Sequence, residues 1–233
     1  MKKPDLQKYL SMQKKFYDEA ASKWSLNNKN PVVGSYNAHN LWKDYDDYLF
    51  RFNTSGMVAL EYGCGPGRNL IRFSNKFLRI DGVDISEENL QKAKINLTHN
   101  GIDVPNLLVC DGKSIPFDDE SYDVVFSVIC LQHIACWSIR KSIFEETHRV
   151  LKKDGKFCFQ MGYGGKKNKP TSDYHADSVD AKGTNGRLDV AVLDQKCLEK
   201  DLSDCGFSNY ISDIRPVGPG DDHANWIWVE VTK

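Results

Sequence analysis

The chain has 233 residues, 40% hydrophobic and 27% charged, which suits one α/β domain with an added segment and shows no sign of disorder. With 31 Lys and Arg against 32 Asp and Glu the formal charge is −1, so no global field attracts nucleic acid or an anionic membrane, and neither is expected as a partner. No apolar run approaches the ~20 residues of a bilayer span and Met1 to Gln7 leads into no apolar core, so a cytoplasmic protein is expected.

The N-terminal part predicts two helical stretches. Leu6, Leu10, Phe16, Tyr17, Ala20 and Trp24 recur at roughly helical spacing between Asp5 and Trp24, with lysines and acids between them. Asn27 to Pro31 reads as loop, and Tyr36, Leu41, Trp42, Tyr45, Tyr48, Leu49 and Phe52 make a second, aromatic-rich stretch. Core packing accounts for most of these aromatics, with Tyr17 and Tyr36 kept as candidate pocket contacts. The seven cysteines, Cys64, Cys110, Cys130, Cys136, Cys158, Cys197 and Cys205, are scattered without a C-x-x-C pair, so neither a zinc knuckle nor a disulfide framework is indicated.

The stretch Val58 to Asn69, VALEYGCGPGRN, is an apolar strand running into a glycine loop and a helix start. Gly63, Gly65 and Gly67 permit positive φ and let a ligand lie against bare backbone. A dinucleotide loop requires G-x-G-x-x-G, whereas here the spacing is G-x-G-x-G and Pro66 has no N–H to offer a pyrophosphate. A nicotinamide-dependent oxidoreductase is therefore disfavoured. With Glu61 two residues before the first glycine, the stretch resembles the first motif, (D/E)-x-G-x-G-x-G, of the class I S-adenosylmethionine-dependent methyltransferases. The resemblance implies a loop beside the methionine part of the cofactor and an acid that holds its ammonium group. It marks Glu61, Gly63, Cys64, Gly65, Arg68 and Asn69 as cofactor residues, and Tyr17 as one from an N-terminal addition that caps the pocket.

Leu70, Ile71, Phe73 and Phe77 predict a helix face, and Leu78 to Asp84 a second strand ending in an acid. Asp84 lies about 20 residues beyond the first glycine, where a βαβ unit delivers a carboxylate to a ribose diol, and Ile85 follows it. Ser86 is the better N-cap for the next helix, with Glu87 and Glu88 complementing its dipole, Leu90, Ala93 and Leu97 as its buried stripe and Asn100-Gly101 as its end. Asn106 to Cys110 is a third strand. By the resemblance, Asp111 accepts from the adenine amino group with Gly112 allowing the turn; an ordinary Asp-Gly turn is the alternative.

Tyr122 to Ile129 is a continuous apolar run of the kind that helices cover on both faces. A helix from Trp137 to Leu151 and a fifth strand from Lys156 to Met161 follow, and RVLKKDGKF is similar to the helix, turn and strand found at this place in methyltransferases of small molecules. The resemblance covers about Gly56 to Met161. It implies a doubly wound seven-stranded α/β sheet, order 3-2-1-4-5-7-6 with strand seven antiparallel, helices on both faces and a helical cap over 1–54. Residues 55–233 are then the S-adenosylmethionine-binding domain, with a lid or substrate insertion at about 162–190. The ligand of such a sheet lies beyond the carboxyl ends of its strands, which adds Ser127, Val128 and Gln132 to the cofactor residues.

His133 follows strand four. A hydroxyl is a poor nucleophile until its proton is taken, and a neutral imidazole suits that task, so His133 is the candidate catalytic base; a helix-start residue bonding locally is the alternative reading. In the polar stretch after Gly162, Asp173, His175 and Asp177 alternate, and Asp221, Asp222 and His223 precede the last strand. A hard cation or hydroxyl-rich acceptor would suit either group, and His175, His223 and Tyr36 are the candidate acceptor contacts; no metal is assigned. Lys166, Lys167 and Lys169 read as solvated. A helix through Leu193, Leu198 and Leu202, ended by Gly206, and strands at Phe207 to Ile214 and Trp226 to Val231 complete the chain. Its tail, GPGDDHANWIWVEV, is similar to methyltransferases that modify sugars.

These readings combine into methyl transfer from S-adenosylmethionine to a small polar acceptor, with O-methylation of a sugar or nucleotide-sugar expected. N-methylation of a small amine, or a non-catalytic protein that binds the same cofactor, are the alternatives. A nucleic-acid methyltransferase is disfavoured because Ser127-Val-Ile-Cys130 stands where an Asn/Asp-Pro-Pro-Tyr/Phe motif would be.

Overall fold

The computed structural model describes residues 5–23, 48–166, 173–178, 189–217 and 223–233. In chain order the elements are α1 (Leu6–Ala21), β1 (Val58–Tyr62), α2 (Arg68–Arg72), β2 (Arg79–Asp84), α3 (Glu87–His99), β3 (Leu107–Val109), β4 (Tyr122–Ser127), a 3-10 turn (Leu131–His133), α4 (Trp137–Val150), β5 (Leu151–Lys166), α5 (Gln195–Asp204), β6 (Ser208–Pro216) and β7 (His223–Thr232). The strands form one sheet of order β3-β2-β1-β4-β5-β7-β6. Strands β1 to β5 pair in parallel, and β7 runs antiparallel between β5 and β6. This is the class I methyltransferase topology implied by the motifs.

Alternation along the central strands supplies two cores. Leu60, Val83, Val125, Phe157 and Phe159 face one way, onto Tyr9 and Leu10 of α1, Ile143 and Phe144 of α4, and Leu198 and Leu202 of α5. Ala59, Val124, Phe126 and Cys158 face the other way, onto Leu70 of α2 and Leu90 and Leu97 of α3. Strand β4 is thus buried on both sides, which is why its sequence is apolar without alternation. In the second core Phe50 meets Phe73 and Phe77 edge-on at 5.1 Å, and Phe126 at 5.4 Å. Such pairs add about 0.5–1.5 kcal/mol each beyond their burial. Helix α3 begins as its sequence predicts: Ser86 is the N-cap and its hydroxyl accepts from Asn89 N.

Three boundaries differ from the sequence reading. Strand β5 continues to Lys166 because β7 pairs along it as far as Lys166↔His223, so the segment expected to begin a lid at 162 begins as strand. Leu193 is 63% exposed and precedes Asp194, whose side chain caps α5; the helix uses Leu198 and Leu202 without it. The helix after the glycine loop is a short one, ending at Arg72, with Phe73 and Phe77 buried beyond it. Among the cysteines, Cys64, Cys110, Cys136, Cys158 and Cys205 are buried as small apolar residues, Cys130 is intermediate and Cys197 exposed. No helix among the described residues is long and apolar enough to cross a membrane.

Candidate active site

The parallel strands β1 and β2 end side by side, Tyr62 opposite Val83, and both Gly63 N and Cys64 N donate to Val83 O. The chain then turns through Gly63, Gly65 and Gly67, all at positive φ, into α2. Packing constrains two of these glycines unequally: a Cβ on Gly63 would clash with Cys130 Sγ, and one on Gly67 would lie tightly, 3.2 Å from the Ala93 Cβ. Gly65 differs. A Cβ there would meet nothing within 4 Å, so its absence keeps free the space beside the loop.

That space is a cleft of about 230 Å³. Glu61, Gly63, Cys64, Gly65, Arg68, Asn69, Asp84, Ile85, Gly112 and Val128 line it, as do Tyr17 and His133. Twelve residues singled out from sequence thus meet around one cavity, although they come from α1, four strand ends and the loops after them.

Two carboxylates set its electrostatics. Glu61 is 1% exposed; its Oε1 accepts from Asn69 Nδ2 at 2.6 Å, while its Oε2 is buried without a hydrogen-bond partner. Burial pushes the Glu61 carboxyl up to about 8, against the opposing Asn69 hydrogen bond and Arg68 charge. Asp84 ends β2 and binds the glycine loop to the start of α3: Oδ2 accepts from Gly65 N and Oδ1 from Ser86 N, each at 2.8 Å. Burial raises the Asp84 carboxyl above its ordinary range, with these backbone bonds working against the rise. An orphaned acid oxygen beside glycine-bared backbone fits a ligand carrying an ammonium group, and Asp84 keeps lone pairs for hydroxyl donors.

Helix α1 roofs the cleft. Gln13, Phe16, Tyr17, Ala20 and Ala21 form one stripe of lining at helical spacing. On one side Ser86 Oγ donates to Asp18 Oδ1 at 2.6 Å; on the other Gln13 Nε2 donates to His133 O at 2.6 Å, and Ala135 N to Tyr9 Oη at 2.7 Å. The helix is therefore fastened to the loops after β2 and after β4. His133 closes the 3-10 turn, and its Nδ1 lies 2.7 Å from Asp189 Oδ1.

Other sequence candidates stand elsewhere. Asp111 does not line the cleft: its Oδ1 accepts from Lys113 N, Ser114 N and Ser114 Oγ, the bonding of an ordinary Asp turn. Ser127 is buried with its hydroxyl donating to Tyr62 O, and Gln132 accepts from Gln160 Nε2 behind the cleft wall. His175 sits against Trp137 and bonds Asp201 through Nε2, outside the cleft. His223, at the start of β7, is 2% exposed with its ring over Gly162. The alternation of Asp173, His175 and Asp177 does not gather them either: Asp173 accepts from His175 N, and Asp177 takes Ser138 N and Ser138 Oγ at the start of α4. Among the described residues no group of three His, Cys, Asp or Glu could hold a metal ion. Tyr36, Asp221, Asp222, Lys167 and Lys169 lie outside the described residues.

Several lining residues were not foreseen. Gln13, Phe16 and Ala20 share the face of Tyr17 by spacing of three and four, a signal present in the sequence. Tyr62, Asn89, Cys110, Ile129, Cys130 and Ile134 are neighbours of motif residues.

Residues 60–159 match the family model described as a methyltransferase domain. Over those residues the chain is similar to the methyltransferase family, and its sheet has the class I methyltransferase order. An uncharacterised methyltransferase of Bacillus subtilis, YcgJ, is 30% identical over 105 residues, 45% of this chain and 40% of the relative. Phosphoethanolamine N-methyltransferase 2 of Haemonchus contortus, solved with phosphomonomethylethanolamine and S-adenosylhomocysteine, superposes with a TM-score of 0.62 at 20% identity, over 82% of this chain and 53% of its own. A Pyrococcus horikoshii protein superposes with a TM-score of 0.65 at 18% identity, over 94% and 98% of the two chains. At these identities the structural likenesses show the fold. The chain spans about two fifths of the length of the first curated relatives it matches. Within the methyltransferase domain, the glycine loop, Glu61 and Asp84 are the residues available to hold the cofactor.

Proposed function

We propose that the chain methylates a hydroxyl of a small polar acceptor, a sugar or nucleotide-sugar, with S-adenosylmethionine as donor. The observation that carries this reading is that His133 lines the same cleft as Gly65 and the unpaired Oε2 of Glu61, so a candidate base and a candidate cation-binding acid share one cleft. When bound, S-adenosylmethionine supplies an activated methyl carbon whose bond electrons leave with sulfur as the acceptor's lone pair attacks. The chain's residues do the rest. Glu61 holds an ammonium, Asp84 accepts from ribose hydroxyls, and Gly65 admits the ligand to the backbone. Tyr17 and Phe16 close the roof and exclude water, and His133 takes the acceptor's proton.

Residues 1–54 are read as the cap of this cleft, and the acceptor as a small molecule because, among the described residues, α1 roofs a cavity of small-molecule size. The amine acceptor of the Haemonchus enzyme makes N-methylation the competing chemistry. An amine that arrives neutral needs no base, so His133→Ala separates the two. Incubating the protein with labelled S-adenosylmethionine and a panel of nucleotide-sugars, free sugars and small amines tests the proposal. Methyl appearing on a hydroxyl supports it, and label confined to amines overturns it.

A further inference from the structure

Asp189 Oδ1 and His133 Nδ1 approach to 2.7 Å across 56 residues of sequence. Building on the methyltransferase reading above, we infer that Asp189 is the positioning residue of His133: it accepts the Nδ1 hydrogen and so fixes the tautomer in which Nε2 carries the lone pair offered to the acceptor hydroxyl.

Three observations carry this. First, the pair is screened from solvent, with side chains 14% and 9% exposed. An ionised carboxylate accepts and does not donate, so against it the hydrogen between the two groups resides on Nδ1. In the neutral ring Nε2 is then the acceptor. Second, both partners are held by their main chains. Val190 N donates to Gln132 O at 2.8 Å, directly coupling the residue after Asp189 to the residue before His133. His133 N donates to Cys130 O, and His133 O receives Gln13 Nε2. Val192 N donates to Gly162 O at the end of the same short run, which fixes Asp189 against β5. The close approach is therefore built into the backbone on both sides. Third, His133 lines the cleft, and with Nδ1 committed to Asp189 the nitrogen left for a ligand there is Nε2. Without the carboxylate either nitrogen could carry the hydrogen, and with it on Nε2 the ring would present N–H to a hydroxyl whose proton it must take.

The test is the two-bond proton–nitrogen NMR spectrum of the histidine rings in the 15N-labelled protein, with the His133 signals assigned by their loss in His133→Gln. The expected pattern in the neutral ring is protonated Nδ1 and unprotonated Nε2. In Asp189→Asn, whose amide can turn its NH2 toward Nδ1, this single-tautomer pattern is expected to be lost, while S-adenosylhomocysteine affinity by calorimetry changes less than about threefold. A wild-type ring with Nε2 protonated overturns the inference, as does an unchanged pattern in Asp189→Asn. The wild-type spectrum decides the tautomer even if the variant fails to fold. S-adenosylhomocysteine that does not bind the wild type overturns the cofactor reading of the cleft and leaves the pairing to be judged by the spectrum alone.

Discussion

Asn69 Nδ2 donates to Glu61 Oε1 over 2.6 Å, in a place where the two residues are 3% and 1% exposed. Asn69 sits in the first turn of α2 and Glu61 near the end of β1, so this bond ties the strand to the helix across the glycine loop. One oxygen of the acid is satisfied by the fold and the other is left to the cleft.

The state of Glu61 gives the first prediction. Burial holds its carboxyl at about 8, above the ordinary 4.5, so at neutral pH the ligand-free protein keeps it mostly protonated. An ammonium placed against it favours the ionised form. Binding S-adenosylmethionine at neutral pH should therefore release most of one proton, and the release should fall by about half as pH reaches about 8 and continue to fall above it. Calorimetry in two buffers of different ionisation enthalpy measures it, and Glu61→Gln should abolish it.

The same shift bears on stability. A folded value above the unfolded one means that the contribution is fully present below about 4.5 and is lost as pH rises through about 8. The melting temperature of the ligand-free protein should fall across that window more steeply than that of Glu61→Gln. Parallel curves for the two proteins would show that Glu61 is not the group responsible.

Asp84→Ala should weaken the fold and the cofactor site together. It removes the acceptor of Gly65 N and Ser86 N, both at 2.8 Å. Hydrogen bonds to charged groups contribute about 1.5–3 kcal/mol each, so denaturant unfolding should show a loss on that order. Cofactor affinity should drop tenfold or more, about 1.4 kcal/mol, since the ribose acceptor and the loop anchor go at once.

Gly63 and Gly65 should respond differently to alanine. At Gly63 the new methyl meets Cys130 Sγ at 2.3 Å with φ at +73°, and overpacking costs about 1–3 kcal/mol before backbone strain is added. At Gly65 the methyl meets no protein atom, so the stability cost is left-handed strain alone, about 1–2 kcal/mol. Its larger effect should be on S-adenosylmethionine affinity, because the methyl enters the cleft. Unfolding curves and calorimetry on both variants check the contrast.

Gln13→Ala tests the roof. Gln13 Nε2 donates to His133 O at 2.6 Å and to Tyr9 Oη at 2.7 Å, and the residue is 5% exposed. The loss should destabilise the protein by about 1–3 kcal/mol. Hydrogen exchange in α1 should rise more than in β4, because the fastening lost is that of helix to loop.

What the sequence determined by itself is what contiguous residues encode. The spacing of Gly63, Gly65 and Gly67 with Glu61 ahead of them specified the loop; the apolar run of β4 specified a strand covered on both faces; Ser86 with Glu87 and Glu88 specified the start of α3. In each case one short segment carries the whole physical cause, whereas the sheet order was implied by the family resemblance that those motifs carry.

The tertiary structure alone decided which polar groups meet. Asp111 bonds within its own turn through Oδ1, between Cys110 and Gly112, which line the cleft, an arrangement that the Asp-Gly pair in the sequence left open. His175 and His223 were candidates by residue type, yet packing on Trp137 and over Gly162 takes them out of the cleft. Strand β5 is longer than its composition suggests because β7, distant in sequence, pairs with its far end. Asp189 gave no signal at all. It reaches His133 through a backbone bond from Val190 to Gln132, and a contact between segments that far apart has no period, cap or turn to announce it.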